Sequence, residues 1–208
     1  MNLKLITMRI GVFGGTFDPV HYGHLRPIEA AAMKFGLARV LYVPARLSPH
    51  KTETPTDARH RVAMLALALD GRPDWSISFL ELDREPPSYT ADTLAAISAA
   101  HPEAELCLLM GTDALAGFGR WSRPAEILKR ARIAAFEREP LTGAAVSIPE
   151  VPGLRDRLEV FDAGSVKISS TELRNDLLRG GRATGRVPGS VAEYITKHGL
   201  YSSPVPQS

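Results

Sequence analysis

Several things this 208-residue chain has little of narrow its role before any motif is read. It holds one cysteine, Cys107, so an internal disulfide is excluded. That residue lies in the apolar run ELCLLM, where it reads as a small buried hydrophobe and not as a catalytic or metal-binding thiol. Its longest apolar runs, such as VAMLALAL, fall far short of the roughly 20 residues that a membrane span needs. The opening MNLKLITMRI lacks the apolar core and cleavage site of a secretory leader, which points to the cytoplasm; Met8 offers a second start next to Met1. Neither sign of charge dominates: 25 Lys and Arg face 23 Asp and Glu, and a net +2 calls for neither a nucleic acid nor a membrane as partner. Two nucleotide fingerprints are missing as well, the Gly-x-Gly-x-x-Gly turn and the Gly-Lys-Ser/Thr ending of a phosphate loop.

What remains is an ordinary globular composition, 44% apolar and 23% charged. The length suits a single domain over 1–208: a core at about 8–165, a helical part at about 166–201 and a frayed tail at 202–208. Monomer and homo-oligomer are equally compatible with it. Short apolar runs predict strands at Met8–Phe13, Ala38–Pro44, Trp75–Leu82, Glu105–Gly111, Ala131–Glu137 and Leu158–Ala163. Helical patterns fall between them at Gly23–Phe35, Asp57–Leu69, Thr90–Ala100 and Arg123–Arg130, and after them at Ser169–Arg179 and Gly189–His198. Such alternation predicts a doubly wound α/β fold, a mostly parallel sheet with helices on both faces. Ligands of such folds bind beyond the carboxyl ends of the strands, so the loops that follow strands hold the candidates.

The first of these loops is GGTFDPVHYGHLRP. Gly14 and Gly15 let backbone approach a phosphate, Thr16 adds a hydroxyl, and Asp18-Pro19 makes a turn before His21 and His24. Pro27 belongs in a first helical turn, which puts the helix start near Gly23–Arg26 and His24 at the positive end of its dipole. An anion held there would meet backbone N–H groups and two imidazole donors together; read alone, the pair points first to the plainer role, one His capping the helix and the other packing under the loop. A metal would find Asp18 as its one nearby carboxylate, too few for a site.

A second loop, KISSTELRNDLLRGG, pairs Ser169 with Glu172 as a capping box and stops at Gly180-Gly181. Ser169, Ser170 and Thr171 gather hydroxyls and free N–H groups there, and Arg174 follows one turn later on the same face. A third, PARLSPHKTETPT, puts Arg46, His50 and Lys51 on a restrained loop, and in MGTDALAGFGRW Asp113 and Trp121 follow the fourth strand.

Six stretches, GGTFDPVHYGHL, SPHK, PSYTADTL, GTDAL followed by W, ISSTELR and VPGSVAEYITKHGLY, occur in an order that resembles the bacterial nicotinate mononucleotide adenylyltransferases, within the His-x-Gly-His nucleotidyltransferases. The resemblance covers nearly the whole chain. It implies a Rossmann-like fold and transfer of AMP from ATP to nicotinate mononucleotide, giving deamido-NAD and pyrophosphate, with Mg²⁺ carried mainly by the ATP phosphates. It implies that His21, His24 and Arg174 act in catalysis. ATP would be held by Gly14, Gly15, Thr16, Lys51, Ser169, Ser170 and Thr171 at its phosphates and by Gly111 and Asp113 near its ribose, while Thr90 and Trp121 frame the nicotinate. One position departs: relatives often carry an aromatic residue after that Trp, where this chain has Ser122. Rival readings are an enzyme for nicotinamide mononucleotide, one for phosphopantetheine, in which Thr usually replaces His21, and a non-catalytic nucleotide sensor.

Overall fold

The structure, a computed structural model, describes residues 8–46, 55–137, 146–164 and 166–202. The apolar runs become six strands: β1 (Arg9–Gly15), β2 (Arg39–Pro44), β3 (Trp75–Ile77), β4 (Glu105–Gly111), β5 (Ala131–Glu137) and β6 (Leu158–Asp162). They form one sheet in the order β3-β2-β1-β4-β5-β6, and every neighbouring pair is parallel. Parallel neighbours need crossovers, and helices supply them: α1 (Tyr22–Phe35), α2 (Ala58–Leu69), α3 (Thr90–Ala100), α4 (Thr112–Ala116), α5 (Pro124–Arg130) and α6 (Leu154–Arg157). Two more, α7 (Ser170–Leu178) and α8 (Gly189–Lys197), follow the last strand.

The period of two along each strand sorts the core into two layers. From β1, Phe13 faces Leu25 and Ile28 of α1, Met64 and Leu65 of α2, Leu173 of α7 and Val191 and Ile195 of α8. Ile10 and Val12 face the other way, toward Leu94 and Ile97 of α3, Leu115 of α4, Ile127 of α5 and Leu154 of α6. Each such aliphatic side chain contributes about 2 kcal/mol when fully buried. The sheet is thus covered on both sides, as the alternating sequence pattern requires.

Strand order reverses between β1 and its two neighbours: the chain moves outward through β2 and β3, then returns to place β4 on the other side of β1. The crevice at that reversal, beyond Gly15 and Gly111, is where a fold of this type receives ligands.

Several elements differ from the sequence expectation. The run from Trp75 to Leu82 pairs as a strand only to Ile77, because the chain turns away from the sheet edge. The backbone N–H groups of Leu82 and Asp83 both donate to the Phe79 carbonyl instead of to a strand. Short α4 and α6 were not anticipated; each is about one turn long, too brief for apolar periodicity to register. Helix α7 starts at Ser170 with Ser169 as its N-cap, but the Ser169 side chain makes no cap hydrogen bond, so the expected capping box is not formed. Among the described residues no helix is long and apolar enough to cross a membrane.

Candidate active site

Helix α1 begins immediately beyond the glycine turn. His21 is its N-cap, in extended conformation, and His24 is its third residue, one position earlier than the start inferred from Pro27. The His24 ring reaches back so that its Nδ1 accepts the backbone N–H of His21 at 3.3 Å. An accepting Nδ1 carries no proton, so the neutral His24 ring bears its hydrogen on Nε2 and remains a donor there. The two imidazoles stack with centroids 3.8 Å apart and planes 25° from parallel. The nitrogen that caps the helix is therefore not the one left to donate.

The glycine between the histidines has its own reason. A Cβ on Gly23 would lie 2.9 Å from the His21 ring and 3.0 Å from the carbonyl oxygen of Ile168, so only glycine lets the imidazole fold under the helix against the α7 approach. Phe17 walls the other side of His24 with ring centroids 5.2 Å apart and nearly perpendicular planes. Phe17 itself holds a φ of 52°, an uncommon backbone state for a bulky residue, and its ring is almost fully buried.

A cleft of about 540 Å³ opens above β1 and β4. Its floor is Gly14, Gly15, Thr16, His21 and His24 on one side and Leu108 to Gly111 with Asp113 on the other. The first residues of α7, Ser169, Ser170 and Thr171, close one end, and Thr90 and Trp121 stand at another part of the rim. Twelve of the residues singled out in the sequence thus share one cavity, although the chain separates the first from the last by more than 150 positions. Gly14 leaves open space: a Cβ there would meet nothing within 4 Å. A Cβ on Gly15 would collide with the Phe17 ring at 2.9 Å.

Arg174 stands apart from this group. It does not line the cleft; its Nη1 donates to the Asp18 carbonyl at 2.8 Å, beneath the glycine loop. Ser170 Oγ likewise donates to the Pro19 carbonyl at 3.1 Å, so α7 is fastened to the loop it faces. Asp18 is no metal ligand in this arrangement. One carboxylate oxygen accepts the Thr56 N–H at 3.0 Å and the other accepts the Tyr201 hydroxyl at 2.6 Å. Among the described residues no group of three or more His, Cys, Asp or Glu side chains is placed to hold a metal ion. Lys51 and His50 lie outside the described residues; Arg46, at the loop's start, donates to the Arg84 carbonyl. Cys107 is buried below the sheet's far end, and burial pushes its thiol up to about 11, consistent with the inert role read from sequence.

The cleft also contains residues that the sequence reading passed over, Glu81, Ser88, Thr93 and Arg120, together with Ser122, which it noted only as a departure. Glu81 was absorbed into the over-long third strand; the turn after Ile77 brings it inward instead. Its carboxylate accepts the Thr93 hydroxyl at 2.8 Å, and burial raises its pKa above the usual carboxylate range. Ser88 is 6% exposed, and its Oγ meets no hydrogen-bond partner among the described residues. Trp121 packs its ring on Phe118 at 5.5 Å, and two residues further along the chain Arg123 donates to Asp92 of α3, holding that carboxyl below its ordinary range.

The fold and this cleft define a nucleotidyltransferase: residues 12–176 match the cytidylyltransferase-like family. Curated relatives narrow it. A protein of Thermomicrobium roseum described as a probable nicotinate-nucleotide adenylyltransferase is 38% identical over 195 residues, covering 93% of this chain and 91% of its own. One of Thermus thermophilus with the same description is 40% identical over 195 residues, 93% of this chain and all of its own. The chain belongs to the nicotinate-nucleotide adenylyltransferase family. Among solved structures, the Plasmodium falciparum nicotinic acid mononucleotide adenylyltransferase, in complexes with APC and with NaAD, shares the fold at TM-score 0.73 and 18–19% identity over 93% of this chain and 97% of that one.

Proposed function

We propose that the cleft joins ATP to nicotinate mononucleotide, forming deamido-NAD and releasing pyrophosphate. The observation that carries this reading is the meeting of two N–H-rich segments, Gly14–His24 and Ser169–Thr171, over one floor, fastened by the Ser170 to Pro19 hydrogen bond. One such segment suits a single anion; two facing each other suit a polyphosphate.

The nucleophile is a phosphate monoester, already largely dianionic near neutral pH, so no base is needed to generate it. One of its oxygens bonds to the α-phosphorus of ATP as the bond from that phosphorus to the bridging oxygen of the leaving pyrophosphate breaks. The protein's task is to hold two anions in line and to meet the charge that develops on the α-phosphate and on pyrophosphate. His24 Nε2–H, His21 and the Gly14–Thr16 backbone would serve the α-phosphate side. Ser169, Ser170 and Thr171 at the start of α7, with Lys51, would receive the leaving group. Gly111 and Asp113 would lie along the adenosine ribose. Thr90, Ser88 and Trp121 would hold the nicotinate, the ring of Trp121 stacking on the pyridine. Arg174 would act on the phosphates through the loop it braces. Mg²⁺, when bound to the ATP phosphates, would supply further charge neutralisation, and the described residues suit a phosphate-borne ion because no group of three or more His, Cys, Asp or Glu among them is placed to hold a metal.

Pyrophosphate release on mixing ATP with each acceptor tests the choice of substrate. Release that depends on nicotinate mononucleotide, at a kcat/KM at least about tenfold above that with nicotinamide mononucleotide, is expected. Preference for nicotinamide mononucleotide or phosphopantetheine would replace the acceptor, and no release with any acceptor would leave a nucleotide sensor.

A further inference from the structure

The closing KHGLY segment, one of the stretches on which the sequence resemblance rests, contributes no residue to the lining of the cleft. Its last residue, Tyr201, sits beneath the phosphate-facing loops. The Tyr201 hydroxyl donates to Asp18 Oδ1 at 2.6 Å, and the other oxygen of that carboxylate accepts the Thr56 N–H at 3.0 Å. Asp18 is 5% exposed, so water does not compete for either bond. Arg61 runs between the same partners: its Nη1 donates to the Thr16 carbonyl at 2.8 Å and its Nε to the Thr56 carbonyl at 2.9 Å. It is 1% exposed, and burial lowers its pKa, while the nearby Asp18 charge opposes that shift. From α7, Arg174 adds its bond to the Asp18 carbonyl.

Three chain segments meet at Asp18. The first is the glycine loop that carries it, the second is Thr56, whose N–H meets the carboxylate, and the third is α7, whose Arg174 meets the main-chain carbonyl of Asp18. All three belong to the polyphosphate half of the proposed site. None belongs to the Thr90–Trp121 half. The tyrosine hydroxyl is held as a donor by burial and by the neighbouring carboxylate, which raise its pKa far above the ordinary tyrosine value.

We propose that Tyr201 is a positioning residue: by holding the Asp18 carboxylate against the Thr56 N–H it fixes the glycine loop, the Thr56 segment and, through the Asp18 carbonyl that Arg174 meets, α7 relative to one another, and so sets the geometry in which ATP is held. The proposal rests on the adenylyltransferase reading. It makes the turn after α8, which carries Tyr201, part of the ATP half of the site and not of the acceptor half.

The test is a set of steady-state measurements on Tyr201→Phe, Asp18→Asn and the double variant, well below their melting temperatures, with both substrates varied. Tyr201→Phe keeps the ring and loses only the donor. It is expected to raise KM for ATP and lower kcat, together costing about tenfold or more in kcat/KM for ATP, with KM for nicotinate mononucleotide unchanged within about twofold. The double variant is expected to be no worse than Asp18→Asn alone, because both changes break one connection. Unaltered kinetics in Tyr201→Phe, equal losses for both substrates, or multiplicative losses in the double variant would overturn the proposal. Should Asp18→Asn not fold, the two-substrate comparison in Tyr201→Phe decides alone. Calorimetric titration with a non-hydrolysable ATP analogue separates the two layers: weaker ATP binding in Tyr201→Phe stands even if wild-type protein transfers nothing to nicotinate mononucleotide, which would sink only the choice of reaction.

Discussion

His24 lines the cleft while its Nδ1 accepts the N-cap N–H of α1, which leaves Nε2 as the donor of the neutral ring. His24→Ala removes the donor, and is expected to lower kcat by about a hundredfold, on the order of 3 kcal/mol, with an unchanged circular dichroism spectrum and little change in nicotinate mononucleotide binding. Near wild-type turnover would refute its role. Neighbouring glycines divide fold from function in the same way. Gly14→Ala adds a methyl where the structure has open space, so thermal unfolding should stay within about 0.5 kcal/mol of wild type while kcat/KM for ATP falls about tenfold or more. Gly15→Ala drives a methyl against Phe17 and should instead cost about 1–3 kcal/mol of stability, read by denaturant titration. The sequence marked both glycines as phosphate-facing without separating these roles, because the difference lies in what stands 3 Å away across the loop. The same is true of Gly23, whose need appears only once the His21 ring and the Ile168 carbonyl are in place.

At the scale of elements, helices and strands with a full buried face were legible: the bounds of β4 and β5 and of α3 agree with the runs that announced them. The third strand was overestimated because alternation in SISFLEL continues after pairing ends at Ile77; periodicity reports which side chains face inward, not which backbone groups bond a neighbour. That overextension is also why Glu81 was missed. Its carboxyl is desolvated in the cleft wall, so its folded pKa is raised, and its contribution to stability is full below the ordinary Glu value and lost as pH rises through the raised one. Glu81→Gln keeps an acceptor for Thr93 and removes the ionisation cost. It should therefore be at least as stable as wild type in urea titrations at pH 7, the difference vanishing below about pH 4. A variant less stable at pH 7 by the same margin as at low pH would show that the charge is compensated. Trp121, packed on Phe118, lines another part of the cleft wall. Trp121→Ala should raise KM for nicotinate mononucleotide far more than KM for ATP, and equal effects on both would mark it as packing alone.

Across the whole molecule, the switch in strand order between β1 and β4 gathers residues that the chain holds far apart, and it was the alternation of strands and helices that foretold this place. The bracing beneath it was not legible: no local pattern links Asp18 with Tyr201, 183 positions later, or Arg61 with Thr16, 45 positions earlier. Arg174 shows the same limit, since a residue one turn into α7 could as well reach a phosphate as the carbonyl it actually meets. The account's central claim is that the cleft moves the α-phosphate of ATP, with its adenosine, onto nicotinate mononucleotide. ATP labelled with ³²P at the α-position tests it directly. With nicotinate mononucleotide present, the label is expected to pass into deamido-NAD as unlabelled pyrophosphate accumulates. Label that stays in ATP, or appears as free AMP without deamido-NAD, would contradict the claim.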